Sequence, residues 1–297
     1  MVPAHALALR PGIVRWNLVV RWNLGNVLSA GSVVLPLFLG AILLGGCAGP
    51  TPQESREDIL KDIRSTTLIP NLGAYDDEVQ KHALDRILVS LRKAPVITRN
   101  LLVAELQDPF IGARTKRVIC TILAREGDPR ALPTLSSMLA EGNVLDDDLI
   151  ETALLEFGEV SIPLVMTVLQ EGPVTARRMA ASILLSLGVS QAFDALEDRY
   201  PNERDTEVRF LCVCGFADDK RSSSNRSLTD ALDDTEEGIR QAAWGALQRR
   251  GLLPRSLGFD PEGVPAIRQS QIENIRSWFA GDSTPVENRN QGAQSWE

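Results

Sequence analysis

Histidine is nearly missing from this chain: 297 residues hold only His5 and His82. That shortage removes histidine-based triads and histidine-rich metal sites at the outset. The four cysteines form no C-x-x-C pair, and the sequence has neither a G-x-S-x-G elbow nor a phosphate-cradling glycine loop. Aromatic residues make up only 5% of the chain, and Val, Ile and Thr seldom alternate with polar residues, which disfavours sheet. What is abundant is leucine and alanine, and with 44% hydrophobic residues the chain can bury a substantial helical core. The net charge is −8, and the three arginines of residues 1–46 leave −11 on the remainder. So acidic a surface excludes nucleic acid as the main ligand.

The N-terminal segment is organised by charge. Arg10, Arg15 and Arg21 precede a 12-residue apolar stretch, Val33 to Leu44, which stops at Gly45, Gly46 and Cys47. Basic region, apolar run and small residues in that order make a secretory signal. The four residues Leu44, Gly45, Gly46 and Cys47 resemble the lipobox of bacterial lipoproteins. That resemblance implies diacylglyceryl transfer to the Cys47 thiol, cleavage before it and a mature chain anchored by lipid. Ala48 after the cysteine resembles lipoproteins sent to the outer membrane, so the expected place is the periplasmic face of that membrane. The competing reading is a signal-anchor helix over residues 27–46, a span that Pro36 and four glycines make poor. At 46 residues the signal exceeds the usual length of about 15 to 30, which points to a start further downstream.

Residues 47–55 read as a tether, with Pro50 and Pro52 and no apolar periodicity. From 56 to 280 the sequence predicts helix after helix. Aligned on their ends, five segments close at positions 127, 158, 188, 220 and 251, with spacings of 31, 30, 32 and 31 residues. Eight residues before each end stand Ile119, Ile150, Ala180, Cys212 and Ala243. Five before stand Ile122, Ala153, Ile183, Gly215 and Ala246, and four before stand Leu123, Leu154, Leu184, Phe216 and Leu247. Offsets of three and four place these positions on one helical face. A second, shorter set of helices shares a late apolar slot at Leu106, Leu139, Leu169, Tyr200 and Leu232. Each unit is therefore a helix pair too small to fold alone, and the pairs must stack.

The motifs GDPRALPTLSSML (127–139) and GIRQAAWGALQRRG (238–251) resemble the HEAT repeats, in particular the short HEAT-like repeats of phycobilin lyases, over residues 76–251. The expected fold is an all-α solenoid of five to six HEAT-like helix pairs with terminal capping helices: one around Ile59, Leu60 and Ile63, and one over Gly263–Gly281 with an apolar stripe of Ile267, Ile272, Ile275 and Phe279. Residues 281–297 are polar and expected to be disordered.

No residue set suggests catalysis, a cofactor or a metal site. His82 is expected on a helix surface, Cys212 as a small buried hydrophobe, and Asp146, Asp147 and Asp148 as caps of a helix start. The cations Lys116, Arg177, Arg209 and Arg240 recur eleven residues before the helix ends. By resemblance to related repeats they meet an acid of the neighbouring turn, Asp205 or Asp234, while Arg178, Arg249 and Arg250 read as a solvated face. A protein partner is expected on the second helices, at positions ten and seven before each end, where Arg117, Glu151, Arg178, Phe210 and Trp244 stand. Packing of Trp244 under the C-terminal helix is the even alternative. Two functions follow: a lipid-anchored scaffold that holds another protein at the cell envelope, or an enzyme or enzyme subunit related to the phycobilin lyases.

Overall fold

The structure, a computed structural model, describes residues 61, 63, 67–142 and 147–281, all within the unit Pro50–Glu297. The lipobox, signal, tether, Asp146 and the tail after Gly281 lie outside the described residues. Among those residues all regular structure is helical. Helices α1 (Leu68–Asn71) and α2 (Asp77–Lys93) come first. Five pairs follow: α3 (Pro95–Leu106) with α4 (Ala113–Arg125), α5 (Leu132–Glu141) with α6 (Asp147–Phe157), α7 (Ile162–Glu171) with α8 (Val174–Leu187), α9 (Ser190–Arg199) with α10 (Thr206–Asp218), and α11 (Ser223–Asp230) with α12 (Glu237–Arg249). Helix α13 (Pro265–Phe279) ends the described chain.

The second helices pack in sequence, α4 on α6, α6 on α8, α8 on α10 and α10 on α12, while α5, α7 and α9 form a parallel layer of first helices. This is an α-solenoid. Its punctuation is local chemistry. Gly127, Gly158, Gly188 and Gly251 close second helices with φ between 60° and 66°, a left-handed conformation that L side chains resist. Pro133 and Pro163 occupy the first turns of α5 and α7, where no N–H is needed. Asp76 caps α2 by accepting from the N–H groups of Glu78 and Val79 at 3.1 and 3.0 Å. Without a glycine at Lys220, α10 stops at Asp218 and Asp219 turns the chain instead.

The three aligned positions of every second helix are buried, from Ile119 and Leu123 to Ala243 and Leu247. The apolar stretch Asp148–Glu171, with a mean hydropathy of 1.5, is long enough to cross a membrane. It is divided by the turn Gly158–Ser161, and its residues Ile150, Leu154, Val165 and Leu169 are buried in the array. Helix α13 packs on α11 and on the turn Ala231–Asp233, continuing the layer of first helices. Ile272 and Ile275 are buried there and Phe279 packs against the core, but Ile267 is exposed, because the first turn of α13 lies outside this contact.

Candidate partner-binding face

Between successive second helices runs a set of arginine clamps. Arg177 donates Nη1–H to the carbonyl of Gly172, five residues back, at 2.9 Å. Its Nε and Nη2 grip both carboxylate oxygens of Glu203 in the next repeat, each at 2.9 Å. Arg209 repeats the arrangement, with Nη1 on the carbonyl of Arg204 at 2.9 Å and the fork on Asp234 at 2.9 and 3.1 Å. At Arg240, in the last of the described pairs, Nε donates instead to the carbonyl of Pro261 at 2.8 Å. The acid facing Arg177 is thus Glu203, not the expected Asp205, because the partner position lies seventeen residues before the repeat end, where Glu203 and Asp234 both stand. Asp205 serves Arg178, which forks onto it at 2.9 and 2.7 Å and also meets Glu207 at 2.8 Å.

The Glu203 side chain is 0% exposed and shared between Arg177 and Arg199. Burial by itself would raise its pKa, but the hydrogen bonds from Arg177, from the backbone N–H of Asp205 and from Arg199 outweigh it and hold the carboxyl at about 2. The Tyr200 hydroxyl donates to Asp234 at 2.6 Å, and burial together with that carboxylate pushes the phenol up. Arg250 is also structural: it donates to the carbonyls of Phe216 and Asp219, closing the end of α10 where no glycine does. That role replaces the solvated face expected of it.

On the solvent side the expected residues divide. Phe210 is 39% exposed, and Arg178, Glu151 and Trp244 are half-buried. Arg117 is only 3% exposed and presents no surface. Helices α5 and α6 both pack on α4 here, the Leu149 carbonyl of α6 lying 3.4 Å from the Thr121 hydroxyl, and from Thr115 to Ala124 only Lys116 escapes burial. Seven residues before the ends, Cys120, Ala181 and Val213 are buried as well. That position is about 100° around the helix from the core position beside it, on the shoulder where the neighbouring second helix packs. Trp244 sits on the same shoulder, with its ring 5.8 Å from that of Phe259 in the connection to α13.

The face that remains open consists of positions ten, six and three before the ends. Asp148, Arg178, Phe210 and Gln241 stand in the first row, Thr152, Ser182, Cys214 and Gly245 in the second, and Leu155, Leu185, Ala217 and Gln248 in the third. The second and third rows were not anticipated, although the spacing of four and seven from Phe210 was there to find. The result is a strip with small residues and partly covered leucines along its middle.

Cys212 is buried, and burial pushes its thiol up to about 12, the environment of an inert packing residue. Cys120 has the same environment and His82 is exposed. A cleft of about 700 Å³ opens between α11 and α13, lined by Asn225, Arg226, Thr229 and Phe279 among others and bridged by the ion pair of Arg276 with Asp230 at 2.8 Å.

The chain is similar to a lyase subunit. It is 27% identical over 173 residues to the phycocyanobilin lyase subunit beta of Nostoc sp. (strain PCC 7120 / SAG 25.82 / UTEX 2576), a stretch covering 54% of this chain and 81% of the relative. No family model matches the sequence.

Proposed function

We propose that this protein is a lipid-anchored, non-catalytic HEAT-repeat scaffold that holds a protein partner at the bacterial cell envelope, on the periplasmic face of the outer membrane. The observation that carries the binding half is the open strip of the second helices, with Phe210 rising from it beside a paired Arg178. Aromatic residues and arginines are enriched in protein interfaces. The anchoring half rests on Leu44, Gly45, Gly46 and Cys47. The acidic balance of the remaining chain favours a protein over a nucleic acid.

The test is capture of a co-purifying protein by the tagged full-length chain solubilised from membranes. Phe210→Glu should abolish capture while the protein keeps its helical content and cooperative unfolding. Unchanged capture by Phe210→Glu would remove this face from the reading.

The similarity to a lyase subunit supports a second reading, in which the chain is part of an enzyme acting on phycocyanobilin. Shared repeats do not transfer activity. Covalent attachment of phycocyanobilin to an acceptor protein, dependent on this chain, would establish it.

A further inference from the structure

Two side chains at the N-terminal corner of the array stand out by exposure: Phe110 at 92% and Tyr75 at 79%. Both belong to one piece of structure. The Arg114 guanidinium lies over the Tyr75 ring, 4.6 Å from its centre, and Phe110 stands in the turn that leads into the same helix, α4. The segment before Tyr75 is clamped to α4 as well: the Thr115 hydroxyl donates to the carbonyl of Pro70 at 3.4 Å, and Gly73 approaches so closely that an added Cβ would collide with that hydroxyl. Phe110 is held outward. Its N–H donates to the Asp108 carboxylate at 2.8 Å, and Ile111 beside it packs against the core, which sets the Pro109–Phe110 tip toward solvent. The corresponding position of later repeats, seventeen residues before the end, holds Glu203 and Asp234, which turn inward to Arg177 and Arg209.

We infer that this corner rests in the headgroup region of the membrane that holds the anchor, so that the array is oriented on the lipid surface and not merely tethered to it. The inference depends on the lipid-anchored reading. The described chain joins the array here, with Ile63 buried and α1 packed on α4. Lys61 follows Cys47 by 14 residues. At about 3.3 to 3.6 Å per residue, that chain reaches at most roughly 50 Å. Tyrosine is enriched at the boundary between headgroups and hydrocarbon, and an exposed phenylalanine adds apolar area that lipid can cover. The charges around them are mixed: Asp76, Asp77, Glu78 and Asp108 against Arg114 and Lys116. Such a patch suits zwitterionic headgroups better than an anionic surface.

The test uses the full chain, extracted from membranes and reconstituted into nanodiscs of phosphatidylethanolamine and phosphatidylcholine. A photo-reactive phenylalanine analogue replaces Phe110 in one sample and, as a control, Val160 in another; Val160 is an exposed residue of the turn Gly158–Ser161, where a second helix passes to a first. Lipid adducts should be several-fold more abundant at 110 than at 160. Intact mass of the same samples reports whether Cys47 is acylated. Equal adduct yields on acylated protein would overturn this orientation alone, and an unacylated Cys47 would overturn the anchored reading with it. Adducts at 110 that in intact cells go mainly to protein would also overturn it.

Discussion

Glu203→Ala should destabilise the protein by about 3 to 5 kcal/mol, the range for removing one partner of a buried ion pair. The carboxylate has no solvent to lose, and its removal strands two guanidiniums, Arg177 and Arg199, that are themselves largely covered. It also strips the acceptor from the N–H groups of Arg204 and Asp205, both bonded to Oε1 at 2.8 Å. The same group makes stability depend on pH. Its folded pKa, about 2, lies below the ordinary value of 4.5, so its contribution is fully present above 4.5 and disappears as pH falls towards 2. Asp234, Asp205 and Asp219 are lowered as well and act in the same direction. The difference between wild type and Glu203→Gln therefore isolates this residue: a gap in denaturation midpoint at pH 6 that narrows steadily between pH 4.5 and 2. A gap independent of pH would mean that the carboxylate is not held ionised by its arginines.

Leu184→Ala should cost roughly 2 to 5 kcal/mol, because the side chain is fully buried in the central pair and its neighbours close only partly over the cavity. In an array held by nearest-neighbour interfaces, damage at the centre weakens the junctions on both sides. Chemical denaturation should therefore show either one transition at lower denaturant or a separation into two. A loss below about 0.5 kcal/mol, as at a surface site, would mean that the repeat register is misplaced.

That register was the most legible part of the molecule. Fifteen aligned positions, three in each of five helices, were readable because burial repeats every three and four residues and recurs at the pair spacing, and all fifteen are buried. The closing glycines announced four of the five ends by the conformation they permit. Contacts between repeats were less legible, since they depend on how far one helix is displaced along the next. Asp205 and Glu203 are two residues apart, and only the register that sets Glu203 level with Asp234, each seventeen residues before a repeat end, gives Arg177 the latter. The exposure of the positions expected to meet a partner was legible only in part, for the same reason. Phe210 and Arg178 oppose the core stripe, but the position three residues after each lies on a shoulder whose burial is decided by the neighbouring helix, as Val213 shows. Arg117 is enclosed for a reason particular to its repeat, where α1, α3, α5 and α6 together cover α4 on nearly every side.

The scaffold reading depends most on where the chain is held, and one measurement addresses that directly: the intact mass of the protein extracted from the membranes of a lipoprotein-processing bacterium. A mature chain that starts at Cys47 and carries a diacylglyceryl group, with Cys47→Ser giving neither cleavage nor lipid, is the result expected from Leu44, Gly45 and Gly46 before the cysteine. A species with an unmodified Cys47, or one that retains the residues before it, would contradict the anchored scaffold.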